Sequence, residues 1–182
     1  MQTKTLRQTI TFKASPQEVY DMLMDSKKHQ SLSGEPAKIS KKVGGKFTAW
    51  GSHLSGINLV LKPGKKIVQA WRATGWWPDH YSIAIFDITK VRGGSKLQFT
   101  QIGIPPSRYS GHYRGWIETY WTPMKEIFAT GAISDKTRGR SKWIGSNVSE
   151  LESSGERFPA KRNTSPEGFT KAMSALPPKA DK

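Results

Sequence analysis

The chain has 182 residues, 35% of them hydrophobic, a mean hydropathy of −0.60, no cysteine and a formal net charge of +15. That length predicts one domain with a tail. Without cysteine there are no disulfides and no thiolate metal or redox sites, and no apolar run approaches the roughly 20 residues that cross a bilayer.

The first residues, Met1 to Arg7, lack the apolar stretch of a signal peptide, so the sequence reads as cytoplasmic. Leu6 to Lys13 alternates as a first strand, with Ile10 and Phe12 on one side and Thr9 and Thr11 on the other. Ser15-Pro16-Gln17-Glu18 then predicts a helix start. Ser15 fits the cap, Pro16 the first helical position, and Glu18 the third, from which it can reach back to the cap amide. Val19, Tyr20, Leu23 and Met24 supply the apolar face. Residues 26–36, broken by Gly34 and Pro36, are a short second helix or a loop.

Residues 37–103 predict an antiparallel meander. Gly44-Gly45 opens a strand from Lys46 to Gly51, and Ile57, Leu59 and Leu61 alternate in the next, which stops at Lys62-Pro63-Gly64-Lys65. Ile67 to Ala73 carries Trp71 and Arg72, and Trp76-Trp77-Pro78-Asp79 interrupts the pattern. Tyr81, Ile83 and Ile85 alternate up to a hairpin at Arg92-Gly93-Gly94-Ser95, and Leu97 and Phe99 continue in the returning strand. Ile104-Pro105-Pro106 ends the sheet.

A last helix is predicted from about Ser110 to Thr130. Tyr113, Trp116, Ile117, Tyr120, Trp121, Met124, Ile127 and Phe128 follow the spacing of a buried face. Pro123 removes one backbone bond and predicts a kink, and Gly115 is expected to let the helix approach the sheet closely. The pattern stops after Gly131. The expected division is a domain over 1–133 and a basic, disordered tail over 134–182, with Phe158 and Phe169 isolated in it. The domain holds 19 basic and 8 acidic residues and the tail 10 and 6, so most of the excess charge is spread over the folded part. Such a surface attracts an acidic partner. No nucleic-acid motif accompanies the charge, so nucleic acid is not an expected partner.

Strand, helix, short helix, meander and long C-terminal helix make an α+β pattern. It resembles the helix-grip fold of the birch-pollen-allergen and START-like superfamily (SRPBCC). Within it the chain is most similar to the C-terminal-domain family of the activator of the 90-kDa heat-shock-protein ATPase. The resemblance rests on Ser15 to Tyr20, Gly44 to Phe47, Leu61 to Arg72, Trp77-Pro78, Gly115-Trp116 and Tyr120 to Lys125, and has no counterpart for the tail. It implies a curved antiparallel sheet wrapped around a long C-terminal helix.

The fold does not settle the function. Phe47, Trp71, Tyr81, Trp116, Tyr120 and Met124 are candidate walls of a cavity between sheet and helix, or plain core. Arg72, His80 and Glu118 are candidate polar groups of such a pocket, or ordinary wet and turn residues. His29, His53, His80 and His112 are scattered without metal-ligand spacing, so no metal or cofactor is expected. The first reading is non-enzymatic binding of an apolar small molecule, lipid or polyketide-like, in a cavity of several hundred cubic ångströms. The alternative that the resemblance implies is a co-chaperone-like domain docking an acidic partner, the 90-kDa chaperone. A cyclase- or hydrolase-type enzyme would need convergent polar groups that the sequence does not display.

Overall fold

The structure, a computed structural model, describes residues 2–133. The tail expected over 134–182, with Phe158 and Phe169, lies outside the described residues.

Strand β1 (Lys4–Phe12) is followed by helix α1 (Pro16–Met24), as the sequence predicts, and by helix α2 (Ser26–Ser33). The capping box forms: the Ser15 amide donates to Glu18 Oε2 at 2.7 Å and the Glu18 amide donates to Ser15 Oγ. The stretch left open as helix or loop is a helix because it carries its own caps. Asp25 accepts from the amides of Lys27 and Lys28, and Gly34 closes the helix in the left-handed region at φ 73°.

The meander then runs through β2 (Lys38–Ile39), β3 (Lys46–Ala49), β4 (Leu54–Lys62), β5 (Lys66–Ala73), β6 (Ser82–Val91) and β7 (Gly94–Ile104). Strand β2, two residues long, carries no alternation that a sequence reading could find. All seven strands form one antiparallel sheet in the order β1-β7-β6-β5-β4-β3-β2. The first strand thus closes against the last.

The C-terminal helical run packs on one face of this sheet. It comprises α3 (Tyr109–Gly115), a π-helical turn over Trp116–Trp121, and α4 (Thr122–Thr130). The disturbance expected from Pro123 is therefore a widened turn immediately before it. Pro123 has no N–H to offer the Thr119 carbonyl, and the Thr122 amide bonds back five residues to Ile117. Bonding at i→i+5 brings residues four and five apart to one side. Trp116, Tyr120 and Trp121 accordingly all face the sheet, with the Trp116 and Trp121 rings stacked at 5.3 Å. Gly115 does not have the role expected of it: a Cβ there would meet nothing within 4 Å. Close approach occurs instead at Gly56 on β4, where a Cβ would run into the Ala70 carbonyl of β5 and the Phe47 ring.

The main core lies between sheet and helices and contains nearly every buried aromatic residue. A second, small apolar cluster of Val68, Ala70 and Ile83 sits on the opposite face of the sheet. Among the described residues no helix is long and apolar enough to cross a membrane.

Candidate functional site

The space between sheet and helix is built from alternate residues of the strands. Ile67, Gln69 and Trp71 of β5, Phe86 of β6 and Phe47 of β3 point inward, and Trp116 and Tyr120 come down on them from the widened turn. Aromatic contacts fill most of it. Trp116 lies 4.3 Å from Phe99, 4.4 Å from Tyr120 and 5.8 Å from Trp71, ring centre to ring centre. What remains is a void of about 20 Å³ lined by Phe47, Gln69, Trp71, Trp116, Tyr120 and His29, among others. That is room for about one water molecule, not the several hundred cubic ångströms of the expected cavity. The rings occupy the volume that the sequence reading assigned to a ligand.

The polar groups inside are paired with one another. Trp116 Nε1 donates to Gln101 Oε1 at 2.8 Å, Gln101 Nε2 donates to Ser82 Oγ at 2.8 Å, and Ser82 Oγ donates to the Trp71 carbonyl. Trp121 Nε1 donates to Gln8 Oε1, whose amide nitrogen donates to the Tyr113 carbonyl. Each helix tryptophan is thus latched to an inward glutamine of the sheet. Gln69 Nε2 donates to Asn58 Oδ1, and Asn58 Nδ2 donates to the Ser40 carbonyl.

A fourth chain runs through His29. Its Nδ1 lies 3.3 Å from the Leu23 carbonyl, which can only accept, so Nδ1 carries the proton. Nε2 then accepts from the Tyr120 hydroxyl at 3.3 Å, and that hydroxyl accepts from Trp50 Nε1 at 3.0 Å. Every member is satisfied with the imidazole neutral. Burial lowers the His29 pKa to about 4, against the opposing pull of the Leu23 carbonyl, and burial raises that of Tyr120. Trp50 reaches its place from a left-handed backbone conformation, φ 53°, which a bulky side chain rarely adopts.

Of the residues singled out from sequence, Phe47, Trp71, Trp116 and Tyr120 come together around the void. Met124 is fully buried one turn further on and does not border it. Tyr81 stands on the other face. It shares the parity of Ile83, and the Arg72 guanidinium lies over its ring at 5.7 Å. Arg72 is therefore outside too, as alternation from Trp71 requires. His80 accepts no place in the interior: its Nε2 bonds the Gly103 carbonyl at 2.7 Å, between the rings of Trp76 and Trp77. Glu118 is half-buried and away from the void. His112, between Trp71 and Trp76, is lowered to about 4 by burial and then by the nearby Arg108 charge. Among the described residues no group of His, Cys, Asp and Glu is arranged to hold a metal ion.

Sequence reasoning missed His29, Gln69 and Gln101. The signal was present for the glutamines. Gln69 sits between Ile67 and Trp71, and Gln101 follows Leu97 and Phe99, at inward positions where a polar side chain needs a partner.

Comparison with known proteins agrees with this fold. The "Activator of 90 kDa heat shock protein ATPase homolog 1" of Homo sapiens is 30% identical over 122 residues, 67% of this chain and 36% of that protein. A Dictyostelium discoideum homologue of the activator is 29% identical over 128 residues, 70% of this chain and 33% of that protein. The chain therefore spans about a third of the length of these curated relatives. The crystal structure of an HSP90 activator from Plasmodium falciparum superposes with a TM-score of 0.65 at 24% identity, covering 69% of this chain and 96% of that one. The model of the family described as "Activator of Hsp90 ATPase homolog 1-like protein" matches residues 13–129, and with its helix gripped by the curved sheet the chain belongs to that family.

Proposed function

We propose that this domain works by docking on a protein, a chaperone ATPase of the 90-kDa heat shock class, and not by carrying a small molecule. The filled interior supports the reading: a void of about 20 Å³ bordered by Trp71 and the latched Trp116 is too small for a lipid or polyketide. A domain whose inside is full offers its surface. Here that surface is strongly basic, with 19 basic and 8 acidic residues over 1–133. The relatives named as activators of the chaperone ATPase supply the class of partner.

The test is to mix the protein with purified chaperone at low and high salt and follow binding and ATP hydrolysis. Binding that weakens with salt, with a faster ATPase, is expected. An unchanged ATPase rate and no binding at low salt would refute it. Titration with aromatic and lipid ligands, read by tryptophan fluorescence, tests the carrier reading in parallel. A saturable response would mean that Phe47, Trp71, Trp116 and Tyr120 part to admit a ligand.

A further inference from the structure

The outer face of the sheet is not the polar face that an antiparallel sheet turns to water. The register sets Ile83, Ala70 and Ile57 side by side on β6, β5 and β4, and Ile85, Val68 and Val60 in the next row. Val68, Ala70 and Ile83 are buried there, and the cluster around them consists of strand residues and Tyr81, with no described helix contributing. The rim is cationic apart from Asp87. Arg7, Lys46, Lys62, Lys66, Arg72 and Lys96 alternate outward on five strands. Asp87 is the one carboxylate on the described strands, and it is paired with Lys66 at 2.8 Å. The helical side is different: Glu18, Asp21 and Asp25 stand among its lysines.

Charge decides what can cover such a face. A second copy packed sheet to sheet would set this cationic rim against itself. The chain's own residues 134–182 carry more basic than acidic side chains and would be repelled as well. The centre offers the half-buried Leu59, Val60 and Ile85, and its one aromatic, Tyr81, lies under the Arg72 guanidinium and does not stand free to enter a lipid surface. An acidic protein surface with an apolar centre fits both the rim and the middle. Resting on the docking reading above, we infer that the outer face of β4–β6 with its cationic rim is where the acidic chaperone surface binds.

The experiment compares the full chain with Arg7→Glu/Arg72→Glu/Lys96→Glu on the outer face and with Lys27→Glu/Lys42→Glu/Lys125→Glu elsewhere, which changes the net charge equally. Purified chaperone is the probe, and methyl NMR of Val60, Val68 and Ile85 reports the contact. The outer-face variant should bind at least tenfold more weakly with a flatter salt dependence, the matched variant within about twofold of the parent, and the three methyl signals should shift on binding. Chaperone binding lost only in the matched variant, or methyl signals that stay put, would overturn the assignment of the face while leaving the docking reading intact. A parent chain that does not bind the chaperone overturns both. Self-association, or binding to anionic vesicles or duplex DNA, abolished by the outer-face variant alone would overturn the choice of a chaperone as occupant.

Discussion

The buried His29 makes stability depend on pH in a way that can be isolated. Folded, its pKa is lowered to about 4 by burial; unfolded, it returns to the ordinary 6.5. Below 6.5 the unfolded chain therefore binds a proton that the folded chain refuses, and stability falls as pH falls, levelling only below about 4. At about 1.4 kcal/mol per pH unit the full difference is about 3 kcal/mol, of which about 2 kcal/mol is lost between pH 7.5 and 5. That window avoids Asp25, whose carboxyl is held at about 2 by its hydrogen bond to Lys41 and by the α2 amides. His112 is lowered in the same direction as His29, so the whole-protein slope will not separate them. His29→Gln will: it keeps an acceptor for Tyr120 and a donor for Leu23 but does not titrate. Urea unfolding of both proteins at several pH values should show the parent losing about 2 kcal/mol more than the variant over that interval. Parallel pH dependences would refute the idea that a neutral, buried imidazole closes this network.

Three substitutions test other parts of the fold. Tyr120→Phe leaves Trp50 Nε1 and His29 Nε2 unmatched in the core and should cost about 1–3 kcal/mol in denaturant unfolding. Gly56→Ala pushes a methyl group against the Ala70 carbonyl; because a backbone atom of a paired strand cannot turn aside, a loss of about 1–3 kcal/mol is expected in thermal or urea unfolding. Ser15→Ala removes the α1 capping box and should cost about 1 kcal/mol, with unfolding midpoints as the readout.

The elements visible in the sequence are those fixed by local rules. The Ser15-Pro16-Gln17-Glu18 cap, the turn at Lys62-Pro63-Gly64-Lys65 and the alternation through Ile83 and Ile85 depend on near neighbours, and each stands where it was expected. Facing was harder. Tyr81, a candidate cavity wall by sequence, stands just ahead of β6 at the parity of Ile83 and packs on the outer face. The closed interior was not legible, because it depends on how far apart sheet and helix stand. That distance follows from the π-turn ahead of Pro123 and from the Trp116–Gln101 and Trp121–Gln8 bonds, contacts between residues far apart in sequence. The strained Trp50, which delivers its N–H to Tyr120, has no sequence signature at all.

The two faces of the sheet divide two tasks that a helix-grip domain can combine. A carrier needs an inner face with room for its ligand. Here the inner face is locked: Gln8 and Gln101, which in an open cavity would be free to meet a ligand, are both spent on helix tryptophans. The outer face carries apolar residues and nearly unopposed positive charge. A rigid inside also benefits docking, since strands braced from behind lose little freedom when a partner settles on their front. The latches and the outer rim should therefore be coupled. Trp116→Phe, which frees Gln101 without emptying the core, should loosen β6 and β7 together, and faster amide exchange in those strands with weaker chaperone binding would show it. Loosened strands with unchanged binding would mean that the outer face does not depend on the bracing behind it.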